Sequence, residues 1–131
     1  MKIAVLIVRS LVGLLFTVVS IMVLAGAGPK EEMTGNAKLF NEGLQAAGYF
    51  FPLLKTTELV CGIAFLIGRF VPLAAVVIFP IIINILCYHA FVDKAVPGII
   101  TGFILLASDL FIAYAYRKSY ESLLRAKAPI G

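Results

Sequence analysis

The sequence has little of what a soluble protein of its length uses. It contains no Trp, one His, two Cys and only 14% charged residues, whereas 62% of its residues are apolar. A chain with so few charges among so many apolar residues could not stay soluble as an ordinary globular domain. The single His also excludes a bis-histidine haem held within one chain, because such a haem needs two axial ligands.

The two cysteines form neither a redox motif nor a metal motif. Cys61 and Cys87 lie in separate apolar runs, without C-x-x-C or zinc-ligand spacing. Counted from the turn between their predicted helices, they differ in depth by roughly 13 Å at a rise of 1.5 Å per residue, too far for a disulfide. We expect both cysteines to be packing residues. We expect no metal site in the protein.

Long apolar runs fill most of the chain. Since a run of about 20 apolar residues crosses a bilayer as a helix, we predict an all-α integral membrane four-helix bundle, one domain over residues 1–131. The spans are predicted at about 3–27, 50–67, 71–92 and 96–116, followed by a basic tail at 117–131. The short connections at 68–70 and 93–95 predict two antiparallel hairpins.

The first connection, residues 28–49, is long enough to contain a helix of its own. The residues that recur on one face are Leu39, Phe40, Gly43 and Leu44. This pattern predicts a short amphipathic helix, capped by Thr34 or Asn36 and ending near Gly48. We expect it to cover the outer mouth of the bundle or lie in the interface; an exposed helical connector is the alternative.

The basic residues indicate how the chain sits in the membrane. One side carries Lys2, Arg69, Arg117, Lys118, Arg125 and Lys127, and the other carries Lys30, Lys38 and Lys94. Since short cytoplasmic segments are enriched in Lys and Arg, both termini are predicted to be cytoplasmic.

The first span imitates a signal peptide, but it is too long and contains Arg9, so we expect it to remain. Without a basic patch interleaved with aromatics, no nucleic-acid partner is expected. The tail should extend the fourth helix by a turn or two and lie on anionic lipid headgroups.

Polar residues inside the predicted spans are the candidate functional residues, because an ionisable group at a helix centre costs at least a few kcal/mol and usually faces the bundle interior. They are Arg9, Lys55, Glu58, Asn84, His89 and Asp109. At 1.5 Å per residue, Arg9, Glu58 and Asp109 lie roughly 9–14 Å from the cytoplasmic side and form one layer. The other three lie nearer the outside. We predict an interior polar cluster, with Glu58 as the candidate proton carrier.

Each candidate has a structural alternative. Arg9 could form an ion pair with either acid that only fixes helix order. Lys55 could extend to the outer interface, and His89 could be an interfacial residue. The Asn84 amide could satisfy the carbonyl freed by Pro80.

Gly98 and its partner one turn later, Gly102, form a small-residue motif of the kind that lets membrane helices pack closely.

Three motifs in the middle spans resemble those of a known family. They are E-x-x-x-G at 58–62, G-R-x-x-P-L-A at 68–74 and P-x-x-x-N-I-x-x-x-H at 80–89, supported by Arg9 and Gly13 in the first span. With them the sequence resembles, over nearly its whole length, the DoxX family of small four-helix membrane proteins. Glu58 matches the acid of the family's second span, and Asn84 with His89 matches a motif of its DoxX-like branch.

The resemblance implies two classes of function. The family takes its name from a subunit of a thiosulfate-to-quinone oxidoreductase, which implies a redox-associated subunit of the cytoplasmic membrane that binds a quinone or similar molecule in a polar interior. Its metal or flavin would then belong to a partner protein, because the sequence has no cofactor motif. The alternative is a non-enzymatic accessory, chaperone or small-solute-binding module. A homo-oligomer is compatible with either, and a transporter is a third hypothesis that four spans without a repeat make less suitable.

Overall fold

The structure is a computed structural model that describes residues 1–27 and 33–131. Its helices are α1 (Lys2–Leu24), α2 (Gly35–Ala46), α3 (Phe50–Ile67), α4 (Val71–Cys87) and α5 (Val96–Ala115), with a π-helical turn at Tyr88–Val92 and a 3₁₀ turn at Arg117–Tyr120. The first, third, fourth and fifth helices are long and apolar enough to cross a membrane, the fourth together with its π turn. The predicted all-α membrane bundle of four spans with a short amphipathic helix in the first loop is therefore confirmed.

Large apolar side chains cover the outside of these spans. On α1, Ile3 and Leu11 are 74% and 62% exposed, and Leu73 on α4 and Phe103 on α5 are exposed as well. Lipid tails, rather than water, suit such a surface. The side chains that are completely buried are fewer and lie between the helices, among them Phe65, Ile78, Ile82 and Ile112. The protein is accordingly a multi-pass membrane protein.

The helix ends follow the sequence signals closely. The span on α3 has the predicted bounds, and the third span reaches Val92 through its π turn. Gly68 ends α3 in the left-handed conformation, with φ of +72°, and the following Phe70 has φ of +59°. Pro72 then occupies the first turn of α4, where its missing N–H costs nothing. The tight α3–α4 hairpin is thus built as predicted.

The four spans form a ring in which α1 packs on α3, α3 on α4, α4 on α5 and α5 on α1. Four antiparallel spans bring both chain ends to the same side of the bundle, here called the termini end. The opposite side, which carries α2, is called the α2 end. Lys30, one of the basic residues predicted for that side, lies outside the described residues.

The most extensive of these interfaces, between α1 and α3, depends on two glycines. A Cβ on Gly13 would lie 2.8 Å from the Gly62 carbonyl oxygen, and a Cβ on Gly62 would lie 2.7 Å from Thr17 Oγ1 and 3.0 Å from the Gly13 carbonyl oxygen. Since real Cβ atoms do not approach so closely, the two backbones touch only because both residues are glycine.

The C-terminal tail differs from its prediction. α5 ends at Ala115, and the expected extension of a turn or two is limited to one turn, which is 3₁₀ and not α-helical, before the chain becomes irregular after Tyr120. Tyr120 explains the turn, since its hydroxyl donates a 2.7 Å hydrogen bond to the Pro72 carbonyl at the start of α4. Burial raises the pKa of Tyr120, with a smaller contribution from Asp109. Tyr120 therefore ties the start of the tail to α4, whereas residues 121–131 are exposed.

Candidate functional site

A groove of about 210 Å³ opens between α2, α3 and the end of α4. It is here called the outer groove, because it lies at the α2 end. Its lining residues are Phe40, Asn41, Leu44, Phe50, Phe51, Leu54, Lys55, Glu58, Asn84, Ile85, Tyr88 and His89. The groove thus brings together four of the six polar residues that the sequence singled out.

Lys55 and Glu58 form the polar floor of the outer groove. They are three residues apart on α3, so their side chains emerge on one face. Lys55 Nζ lies 2.9 Å from Glu58 Oε2, and the two side chains are 18% and 3% exposed. Lys55 is therefore engaged with an acid inside the protein instead of extending to the interface. A carboxylate this buried requires such a partner, because its desolvation is costly.

His89 lies at the outer end of the groove, on the π turn. Its Nδ1 is 2.9 Å from Asp93 Oδ2, and Asp93 Oδ1 accepts the Ala95 N–H at 3.0 Å. The His89 ring lies directly against Gly98, where any Cβ would overlap it. Gly98 therefore makes room for the imidazole, while Gly102 receives Leu86.

Asp93 is the member of this site that the sequence analysis missed. Its position in the 93–95 connection predicts only a turn, although His and Asp four residues apart share a helical face. The carboxylate holds one ring nitrogen of His89 and leaves the other for a ligand or a proton. Such pairing fixes the orientation of an imidazole.

Asn84 lines the groove, but its side chain is exposed. The prediction that it points into the bundle interior is therefore wrong. Within the described part of the chain its amide makes no side-chain hydrogen bond, so the suggested bond to the carbonyl freed by Pro80 is also not formed. Both amide donors are therefore left for a molecule in the groove.

The amphipathic helix α2 covers one side of the outer groove. Asn41 Nδ2 donates a 3.2 Å hydrogen bond to the Tyr88 hydroxyl, and the rings of Phe40 and Tyr88 lie 5.3 Å apart. Thr34 occupies the predicted N-cap position, although its side chain makes no capping hydrogen bond. α2 is positioned as a lid would be, held by the π turn that carries His89.

The remaining two polar residues lie elsewhere. Arg9 contacts the turn at Gly68, and Asp109 is 1% exposed between α4 and α5, beside a crevice of about 140 Å³. Among the described residues, no acid lies within ion-pair distance of Arg9 and no base within that of Asp109. The expected layer of Arg9, Glu58 and Asp109 is thus not an ion-pair network, and Lys55 is the partner of Glu58.

Fold and groove together define a small multi-pass membrane protein with a polar recess under a surface helix. The family model described as DoxX matches residues 4–90, which is more than half of the chain, and the protein belongs to the DoxX family. The match contains Arg9 and the four candidate residues of the outer groove, Lys55, Glu58, Asn84 and His89, whereas α5 with Asp109 lies beyond it. No curated protein and no solved structure matches the chain.

Proposed function

We propose that the outer groove binds a small molecule with hydrogen-bonding carbonyls, for which a quinone is the candidate, and that the protein is a membrane subunit of a quinone-linked redox system. The observation that carries the proposal is that Lys55, Glu58, Asn84 and His89, which lie on two different spans and a π turn, line one groove. The metal or flavin of such a system would belong to a partner protein.

The lining residues suit a quinone ring. Carbonyl oxygens need donors, and Lys55 Nζ, the Asn84 amide and the His89 ring can donate. A volume of about 210 Å³ is below the ~300–1,000 Å³ of pockets that enclose whole drug-sized molecules, so it suits a ring whose apolar tail remains in the lipid. A bound quinone would supply reversible two-electron, two-proton redox chemistry. Phe50 and Phe51 give the groove an aromatic wall.

Glu58 is the proposed proton carrier of the groove. Its Oε2 is held by Lys55, which leaves Oε1 to take or release a proton. The Lys55 ammonium lies 2.9 Å from the carboxylate, so the two groups can stay buried together as an ion pair. His89, oriented by Asp93, is the second group able to exchange protons, at the mouth of the groove.

Native mass spectrometry with solvent extraction of the purified protein tests this proposal. Wild type, incubated with a short-tailed quinone, should retain one quinone per chain, and Glu58→Gln should lose it while remaining folded. The matched control is Glu42→Gln, which removes a carboxylate from an exposed pair with Lys38 on α2. Glu42→Gln should bind as wild type does. Equal binding by wild type and Glu58→Gln, or none by either, contradicts the proposal.

One observation favours the second hypothesis, a non-enzymatic accessory, chaperone or solute-binding module. The Lys55–Glu58 pair is complete without any ligand, as expected for a pair that fixes helix packing. Under this hypothesis the wild-type protein carries no quinone. Glu58→Gln would then lower the thermal unfolding temperature, because the lysine loses its charged partner, and change nothing else.

The proposal extends to the whole molecule. We propose that residues 1–131 act as one domain in the cytoplasmic membrane, with both termini in the cytoplasm and α2 on the outer side. The excess of Lys and Arg at the termini end supports this orientation. A homo-oligomer and a redox partner protein are both compatible with the large lipid-facing surface.

A further inference from the structure

A second groove, of about 440 Å³, lies at the termini end between the start of α1 and the end of α5. It is here called the inner groove. Its walls include Lys2, Val5, Leu6, Arg9, Ala115 and Tyr116. Two of these side chains are cationic and none is acidic. The inner groove is at the opposite end of the bundle from the outer groove, so a ligand bound in it would be independent of the proposed function.

Arg9 in this groove lacks an acceptor within the protein. Its Nε is buried without a hydrogen-bond partner, and within residues 1–27 and 33–131 no carboxylate reaches its guanidinium. The guanidinium lies against Gly68, at the C-terminus of α3, where the helix dipole favours a positive charge. The dipole stabilises the charge, but it does not supply acceptors for five N–H donors.

The position of Arg9 puts these donors near lipid phosphates. Arg9 is seven residues beyond Lys2, or roughly 10 Å along α1 at 1.5 Å per residue. Helical side chains tilt toward the N-terminus of their helix, so a long Arg side chain here extends back toward the membrane surface at the termini end. Gly68, which the Arg9 guanidinium contacts, also lies at the membrane surface of the termini end.

We propose that the inner groove binds the headgroup of an anionic phospholipid from the surrounding leaflet. The lipid phosphate would accept from the guanidinium of Arg9, in the bidentate geometry that suits this side chain, and the ammonium of Lys2 would add a second positive charge. Val5 and Leu6 form an apolar wall for the acyl chains. A groove with two cations and no acid favours a lipid with net negative charge over a zwitterionic one.

The test is native mass spectrometry of the protein exchanged into mixed micelles that contain equal amounts of phosphatidylglycerol and phosphatidylcholine. Wild type should retain one phosphatidylglycerol in clear preference to phosphatidylcholine. Arg9→Gln should reduce the bound fraction about tenfold or more, since charge-assisted hydrogen bonds are lost. Lys2→Gln should reduce the bound fraction by a smaller factor. Because the Lys2 side chain is exposed, this variant should fold even if Arg9→Gln does not.

Arg117→Gln is the matched control. Arg117 lies at the same end, but its Nη1 donates to the Tyr114 carbonyl and its guanidinium lies 4.5 Å from the Tyr114 ring centroid, so its loss should leave lipid retention unchanged. Retention that is equal in wild type, Arg9→Gln and Lys2→Gln overturns the proposal. So does displacement of the lipid by millimolar inorganic phosphate, which would show that the groove takes a free anion.

Discussion

At the scale of single residues, Asp109 shows how far sequence reasoning about buried charges extends. Its burial was predicted, and the carboxyl is indeed 1% exposed, on the same face of α5 as Gly102 and Leu105. Its pairing with Arg9 was not found. A count of residues along a helix gives the height of a side chain, but the direction in which that side chain points depends on how the helix is rotated in the bundle.

Because Asp109 has no cationic partner among the described residues and its Oδ1 accepts no hydrogen bond, Asp109→Asn should not destabilise the protein. Breaking a buried ion pair costs about 3–5 kcal/mol, whereas replacing an unpaired buried carboxyl removes a desolvation penalty. Thermal unfolding in detergent, followed by circular dichroism, should therefore give an equal or higher midpoint.

Asp93→Asn is the control for this substitution, since it makes the same change at a paired carboxylate. It weakens the contact with His89, and we expect it to cost about 1 kcal/mol, as one partly exposed charge-assisted hydrogen bond does. A midpoint for Asp109→Asn below that of Asp93→Asn would show that Asp109 has a stabilising partner after all.

At the scale of helices, the sequence indicated which faces are buried but not which helices share them. Gly13, Phe16 and Ser20 form a buried stripe on α1, and on α3 the predicted interior residue Glu58 is buried together with Gly62. That Gly13 and Gly62 pack against each other could not be read from either helix, because small residues at regular spacing occur on several spans. The glycine motif on α5 instead receives side chains from the end of the third span.

Gly62→Ala should consequently separate α1 from α3. The added methyl group would lie 2.9 Å from the Thr17 backbone nitrogen and 3.0 Å from the Gly13 carbonyl oxygen, so a helix must move. We expect a loss of about 1–3 kcal/mol in the free energy of unfolding, as for other overpacked interiors. Denaturation of wild type and Gly62→Ala in detergent measures this loss of stability.

Gly43→Ala serves as the comparison for that substitution. Gly43 is helical, and a Cβ there would meet nothing within 4 Å. The Gly43→Ala substitution should leave the free energy of unfolding unchanged or raise it by up to ~1 kcal/mol, the difference in helix propensity between Ala and Gly. If both glycine substitutions had the same effect, the close contact between α1 and α3 would not contribute to stability.

The π turn is the element that the sequence could not predict. The length and composition of residues 71–92 predict one continuous span. Instead, the last five residues widen into a π turn, which carries Tyr88 against α2 and His89 against Asp93. π-Helical segments occur frequently at functional sites, and here one shapes the mouth of the outer groove.

At the scale of the whole molecule, the fold was predictable because the bilayer requires it. Length and hydropathy fix the number of spans, and two short connections fix two hairpins. The outer groove was predictable only as a set of residues, since it forms where three separate elements meet. The inner groove was not predicted, because it depends on the end of α5 lying beside the start of α1.

The orientation of the bundle is a property of the whole molecule and can be measured directly. Outside the spans, Lys2, Arg69 and the basic residues of the tail lie at the termini end, while Lys38 and Lys94 are the described Lys and Arg residues at the α2 end. This asymmetry predicts a cytoplasmic C-terminus. In a bacterial host, green fluorescent protein fused after Gly131 should fluoresce, and alkaline phosphatase fused there should be inactive. Alkaline phosphatase fused after Lys94 should be active, because it would be exported. The reverse pattern would place the outer groove, with Glu58 and His89, on the cytoplasmic side and require the proposed proton exchange to occur with the cytoplasm.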